Sequence, residues 1–125
     1  MQTRDQKYAA DAYKNVEKIV EKIVESERKS YGSMAHQLPV LIRRAGLAQA
    51  LSFVNARKEP QLQLLTDLAT TIGLQDKQAL LKHAREDELS AYILLTRQVM
   101  AALLWYKRFA QSILGVDMED EADER

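Results

Sequence analysis

Apolar residues recur every three or four positions along almost the whole chain, and only four glycines and two prolines interrupt them. That period lines up side chains on one face of an α-helix, whereas a half-buried strand needs alternation at every second residue. The pattern predicts an all-α fold, a single compact bundle of about six helices, of which the first and last are long and those between are short. At 125 residues the chain is the size of one domain and long enough to bury a core without crosslinks.

The first helix is expected to open at Thr3. Gln6 stands three residues on, the capping-box spacing in which each side chain satisfies the other's free backbone N–H. Running to about Lys29, this helix gathers Tyr8, Ala12, Tyr13, Val16, Ile19, Val20, Ile23 and Val24 on one face, with Lys7, Lys14, Lys18, Lys22 and Lys29 opposite. Punctuation is densest between Tyr31 and Phe53, where Gly32, Pro39 and Gly46 are expected to break the chain into short, turning helices. Gly46 to Ala56 reads as a third helix; Pro60 suits the first turn of a fourth that stops at Gly73, and Gln75 to about Arg85 makes a fifth. The last, from about Asp87 to Leu114, spreads Ile93, Leu94, Leu95, Val99, Met100, Leu103, Leu104, Trp105, Tyr106, Phe109 and Ile113 around nearly its whole circumference. Such a helix either runs through the middle of a bundle or completes its burial against another protein.

The formal net charge is zero, but unlike parts cancel. Residues 116–125 hold six acids and one arginine, leaving 17 basic and 12 acidic residues in the body from 1 to 115, a charge of +5. The expected organisation is one helical domain, 1–115, followed by an acidic, disordered tail, 116–125, which could also screen a basic face from polyanions. The chain has no cysteine, which fits a reducing, cytoplasmic setting. Its start lacks the apolar core of a secretory signal, and the longest unbroken apolar run, Val99 to Tyr106, falls well short of the ~18 residues that span a bilayer, so no membrane segment is expected.

Enzyme chemistry finds little purchase. A di-metal bundle needs Glu-x-x-His pairs, and neither His36 nor His83 has an acid three residues before it. Glu86 follows His83 at the reverse spacing, which reads as a surface contact. Ser33 and His36 form the one close nucleophile–base pair, at a spacing too common to mark a site. No glycine-rich phosphate loop occurs. No metal, cofactor or small-molecule substrate is therefore expected.

Nucleic-acid binding has two routes. Leu65 to about Lys82 resembles a helix-turn-helix, with Ala69 allowing close approach, Gly73 in the turn, and Lys77 and Lys82 on the second helix, but Gln75, Asp76 and Gln78 make a weak base-reading set. The other route is contact with the phosphate backbone through Arg4, Lys7, Lys14 and Lys18, through Arg43 and Arg44, or through Arg97, Lys107 and Arg108. Glu17, Glu21 and Glu25 lie beside the first-helix lysines, whereas no acid stands within ten residues of Arg43 or Arg44. A third reading is a purely structural adaptor, suggested by the apolar breadth of the last helix.

Four stretches carry a resemblance. T-R-D-Q-x-Y-A (Thr3 to Ala9), Tyr31-Gly32, L-P-x-L-I-R-x-x-G-L-A-Q (Leu38 to Gln49) and W-Y-K-R-F-A (Trp105 to Ala110) together look like the small α-helical subunit of the type III-B CRISPR effector, the Cmr complex. The resemblance covers essentially residues 3–114 and leaves the tail outside. It implies a non-catalytic part in an RNA-guided antiviral complex, with backbone subunits, copies of itself, guide RNA and target RNA as partners. By position it implies that Arg43, Arg44, Lys107 and Arg108 face RNA, with Arg4 and Lys7 as further candidates. Tyr31 and Gln49, with Leu38, Gly46 and Leu47, would shape the fold or the contact with neighbouring subunits; Leu104 and Trp105 are expected at a protein interface on the separate ground of the last helix's apolar breadth.

Overall fold

The computed structural model describes residues 1–117, and six helices run through them without a strand: α1 Arg4–Lys22, α2 Glu25–Ala45, α3 Leu47–Asn55, α4 Gln61–Thr71, α5 Lys77–Glu86 and α6 Leu89–Ser112. The all-α bundle is as the periodicity requires. The acidic run from residue 118 onward lies outside the described residues.

α1 begins where its chemistry says it should. Thr3 Oγ1 accepts from the Gln6 N–H at 3.0 Å and Gln6 Oε1 accepts from the Thr3 N–H at 2.8 Å, the reciprocal capping box. Its end is a correction: the helix stops at Lys22, not Lys29. The chain breaks at Ile23 and Val24, where nothing in the local sequence punctuates it. The reason lies five residues on, where the Arg28 guanidinium donates to the carbonyls of Ile23 at 2.9 Å and Val20 at 2.8 Å. A helix leaves its last carbonyls without intrahelical partners, and a cation there also meets the negative end of the dipole. One side chain of the next helix thus caps the previous one.

The second correction concerns Gly32 and Pro39, which break nothing. Both lie inside α2, a 21-residue helix, so three helices are long rather than two. Pro39 costs α2 of order 3 kcal/mol, through a missing backbone bond and the clash of its ring with the preceding turn, yet nine residues of the helix from Tyr31 to Ile42 are buried and outweigh that local penalty. Gly32 sits there for packing, because a Cβ on it would stand 2.7 Å from Val116 Cβ. Of the three breakers expected between Tyr31 and Phe53, only Gly46 acts as a turn: its φ of 87° belongs to the left-handed region, and it ends α2 and starts α3.

α6 is the axis of the bundle. It packs on α1, α2, α4 and α5, burying Leu95, Val99, Ala102, Leu103, Tyr106 and Ala110. It lies antiparallel to α2, since the Tyr92 hydroxyl near its start accepts from the Ala48 N–H just past the end of α2, while Val116 beyond its own end reaches His36. By length and composition α6 is also apolar enough to cross a bilayer, a property that the short unbroken runs of the sequence hide. Leu89, Ile93, Leu94 and Leu104 remain exposed on its outer face. α6 is thus central and incompletely covered at once.

The domain does not end at residue 115. Gly115, at φ 71°, turns the chain back, and Val116 is 3% exposed. Its N–H donates to the Ala110 carbonyl at 2.9 Å, and its own carbonyl accepts from His36 Nε2 at 2.8 Å. Val116 therefore belongs to the body.

Candidate functional site

The sequence-derived cations fall into two groups. Arg43 and Arg44 occupy the exposed last turn of α2, beside the Gly46 turn and the exposed Gln49 of α3. No acid occurs between Glu27 and Glu59, and neither arginine has an ion-pair partner among the described residues. A guanidinium held at a helix C-terminus is favoured by the dipole and keeps its donor fork free for a carboxylate or phosphate.

The second group gathers around Trp105. Its indole Nε1–H donates to Asp5 Oδ1 at 2.9 Å, its ring stacks on Phe109 at 5.8 Å, and the Arg108 guanidinium lies 5.9 Å from its centroid. Phe109 in turn meets Tyr13 edge-on at 5.5 Å. Arg4 lies over Tyr8 at 5.4 Å on the same end of α1, with the exposed Lys7 beside it. Trp105 thus ties the start of α1 to α6, and Asp5 offsets part of the charge. Lys107 is half-buried on α6. No hydrogen bond, ion pair or ring contact joins this group to Arg43 and Arg44 among the described residues.

Of the residues expected at a protein interface, Leu104 is 49% exposed and Gln49 is exposed, whereas Trp105 is half-buried by the contacts above. Tyr31 is a correction. It has no exposed surface, and its hydroxyl donates to Asp67 Oδ2 at 2.6 Å. Its part is in the fold.

Tyr31 belongs to a buried polar network that sequence reasoning missed. Asp67 Oδ1 accepts from Gln63 Nε2 at 2.9 Å, and the Asp67 carbonyl accepts from the Tyr106 hydroxyl at 3.2 Å. That hydroxyl also accepts from Asn15 Nδ2 at 2.9 Å and shares a 2.7 Å bond with Thr71 Oγ1. Burial pushes the Asp67 carboxyl above its ordinary value, while hydrogen bonds from Tyr31 and Gln63 and the charge of Lys18 pull it back; burial likewise raises both tyrosine hydroxyls. The one signal in the sequence was an acid in an otherwise apolar stretch, L-L-T-D-L-A. The network links α1, α2, α4 and α6.

Residues considered for chemistry serve structure instead. The His36 ring is committed to the Val116 carbonyl, and Ser33 beside it is buried. His83 pairs on the surface with Asp87 at 2.9 Å, not with Glu86. α4 and α5 form the helix pair expected between Leu65 and Lys82, but Asp76 caps the second helix by accepting from the Ala79 N–H at 2.9 Å. A carboxylate therefore occupies the end that a base-reading helix turns toward DNA, and Leu65, Leu68, Leu80 and Ala84 make the pair part of the common core.

Residues 4–113 match the profile of the family described as CRISPR-associated protein (Cas_Cmr5). The chain is 48% identical over 115 residues to the CRISPR system Cmr subunit Cmr5 of Thermus thermophilus, a match covering 91% of this chain and 98% of that protein. It also resembles the X-ray crystal structure of a CRISPR-associated Cmr5 family protein from the same organism, with a TM-score of 0.85, 46% identity, and coverage of 90% of this chain and 98% of that one.

Proposed function

Because the chain belongs to the Cas_Cmr5 family of CRISPR-associated proteins, we propose that it is a non-catalytic subunit of a type III-B Cmr complex, working in antiviral defence by supporting guide and target RNA and by contacting other Cmr subunits, copies of itself included. Near-complete coverage of the Thermus subunit at 48% identity supports the subunit role. For RNA, the observation that carries the reading is the Arg43–Arg44 pair, exposed, without an ion-pair partner among the described residues, and set in a stretch free of acids. Arg108, Lys107, Arg4 and Lys7 make a second, partly offset, basic region. For protein contact, the carrier is the outer face of α6, where Leu89, Ile93, Leu94 and Leu104 stand with the exposed Arg97 and Arg108 and no acid interrupts the helix. Apolar surface with arginine at its edge is typical of interface cores.

The test is target capture by the assembled complex across a salt series. Each phosphate contact contributes a slope of about 0.7–0.9 to the dependence of log affinity on log salt. Changing Arg43→Ala together with Arg44→Ala should weaken capture at low salt and flatten the slope by about 1–2. An unchanged slope removes the pair from the RNA contact. A tagged copy purified from its native cell should bring down guide RNA and the larger subunits.

A further inference from the structure

Between α1 and α4 lies a cleft of about 130 Å³ that the roles assigned above leave unused. Asn15, Gln63 and Asp67 supply its polar groups, Ile19 and Ile23 an aliphatic wall, and the exposed Lys18 and Lys22 its rim. Apolar walls with a few converging polar groups are what a small-ligand site is made of. An engineered cavity of about 150 Å³ takes one benzene, so a cleft of this size has room for a single six-membered ring.

The hydrogen bonds at its floor decide what that ring must carry. Asn15 Nδ2 donates to the Tyr106 hydroxyl at 2.9 Å, and Gln63 Nε2 donates to Asp67 Oδ1 at 2.9 Å. Each amide thus commits its nitrogen to the buried network and keeps its oxygen, and neither oxygen has a partner among the described residues. Asp67 Oδ2 accepts from Tyr31, but a carboxylate oxygen has two lone pairs, so each Asp67 oxygen keeps capacity for one more donor. Three acceptor groups therefore line one small cleft, and what fits them is a hydrogen-bond donor such as a ring-borne amine.

The rim selects the opposite charge. Lys18 and Lys22 lie one turn apart on α1, and Lys18 acts on the Asp67 carboxyl through its charge without an ion pair between them among the described residues. Glu17 and Glu21 fall on the other side of the two lysines around the helix and line no part of the cleft. Two ammonium groups repel a guanidinium or ammonium ligand and favour one that bears a phosphate. Of the RNA bases, cytosine and uracil are single rings. Cytosine offers an exocyclic amine, whereas uracil has a carbonyl oxygen at that position, which would set lone pairs against the carboxylate.

We propose that the cleft between α1 and α4 is a seat for one unpaired cytidine nucleotide, its exocyclic amine donating to Asp67 and the free amide oxygens and its phosphate held by Lys18 and Lys22. That the nucleotide belongs to an RNA strand rests on the RNA reading above; the choice of base rests on the cleft.

The experiment titrates the full, isotope-labelled chain with the 5′-monophosphates of cytidine, uridine, adenosine and guanosine at about 50 mM salt, following the side-chain NH2 signals of Asn15 and Gln63 by NMR. Cytidine monophosphate should shift both signals, and uridine monophosphate should bind about 5–100-fold more weakly, the worth of one base-edge contact. Equal binding of the two pyrimidines, tighter binding of a purine, or shifts confined to residues outside the cleft overturn the proposal. Tighter binding of arginine amide also overturns it, since the cleft is then a seat for a protein side chain. Lys18→Ala with Lys22→Ala should weaken the monophosphate about 3–10-fold and leave phosphate-free cytidine unchanged, because both lysines are exposed and act on charge. An equal loss for the two ligands overturns the rim's part. Asp67→Asn should erase the preference for cytosine. Because Asp67 also ties helices together, Gln63→Met, at a half-buried position, is the second variant and should reduce that preference; a preference kept by both overturns the base reading. Oligocytidine should then outbind oligouridine of equal length. Cytosine preference among the monophosphates with no binding of either oligomer leaves the seat standing and sinks the RNA reading. Equal binding of both oligomers, lost on changing Arg43→Ala and Arg44→Ala, leaves the RNA reading standing and sinks the seat.

Discussion

Tyr31 and Asp67 meet in the interior at 2.6 Å, and the charge state of that carboxyl decides what each is worth. Burial is the largest influence on Asp67 and raises its pKa, so the folded protein holds that proton more tightly than the unfolded chain does. The contribution to stability is then fully present below the unfolded value of about 4 and is lost as pH rises through the folded value. Asp67→Asn should accordingly remove part of the fall in Tm between about pH 4 and neutrality, read by thermal unfolding across pH. Tyr31→Phe takes a donor from the carboxylate and should cost about 1–3 kcal/mol at pH 7, and less in acid, where Asp67 is protonated. A loss that does not vary with pH would show that packing alone sets the value of Tyr31. Gly32→Ala acts at the other buried contact. Alanine gains up to about 1 kcal/mol of helix propensity, but a Cβ at 2.7 Å from Val116 Cβ forces the valine out, and the loss of that burial, about 1.5–3 kcal/mol, exceeds the gain. The variant should melt lower than the parent, with faster hydrogen exchange at the Val116 amide.

At the scale of the element, the legible features were those whose cause lies within a few residues. The Thr3–Gln6 box, the left-handed Gly46 and Gly73, and the apolar face through Tyr8, Ala12, Val16 and Ile19 all follow from local spacing. What misled is the rule that glycine and proline end helices, which weighs a local cost against nothing. In α2 the cost at Pro39 is set against nine buried residues, and Gly32 is required because Val116 returns from far along the chain. The true break at Ile23 and Val24 was invisible because its cap comes from a side chain reaching back. Arg28→Ala should therefore cost about 1 kcal/mol, comparable to the loss of a helix cap, and show first as faster exchange in the last turn of α1. α6 carries two readings that a pair of substitutions separates. Leu103 is fully buried and Leu104 is 49% exposed. Leu103→Asp should unfold the isolated protein, whereas Leu104→Asp should leave its Tm within a degree or two yet weaken co-purification with the other subunits. If Leu104→Asp unfolds the chain, the outer face of α6 is core and the interface reading falls.

For the whole molecule, the sequence conveyed the fold class and the centrality of the last helix but not how the helices are tied to one another. Periodicity says which face of a helix is apolar, and nothing about its neighbour. The ties are long-range: Tyr31 to Asp67, Asn15 and Thr71 to Tyr106, Trp105 to Asp5, Tyr92 to Ala48. The same is true of the candidate site, whose arginines were legible as charges while their partners were not: Arg108 proved to lie over Trp105, and Arg43 and Arg44 to stand without an ion pair among the described residues. The ties are unevenly shared. α6 packs on four helices and, with α1, α2 and α4, holds the buried polar network, whereas α5 buries only Leu80 and Ala84 of its ten residues. Local opening costs the apolar area and buried hydrogen bonds that the opened piece takes with it. Amides from Leu95 to Ala110 should therefore exchange only through global unfolding, at the full stability of the domain, on the order of 5–15 kcal/mol. Those of α5 should open at a free energy several kcal/mol lower, since burial of Leu80 accounts for about 1.5–3 kcal/mol and that of the Ala84 methyl for about 1 kcal/mol or less. Native-state hydrogen exchange at rising denaturant reads both values. Equal free energies and equal denaturant slopes for the two helices would mean that the bundle has no separable outer layer, and that a partner docking on α6 grips a domain that opens all at once.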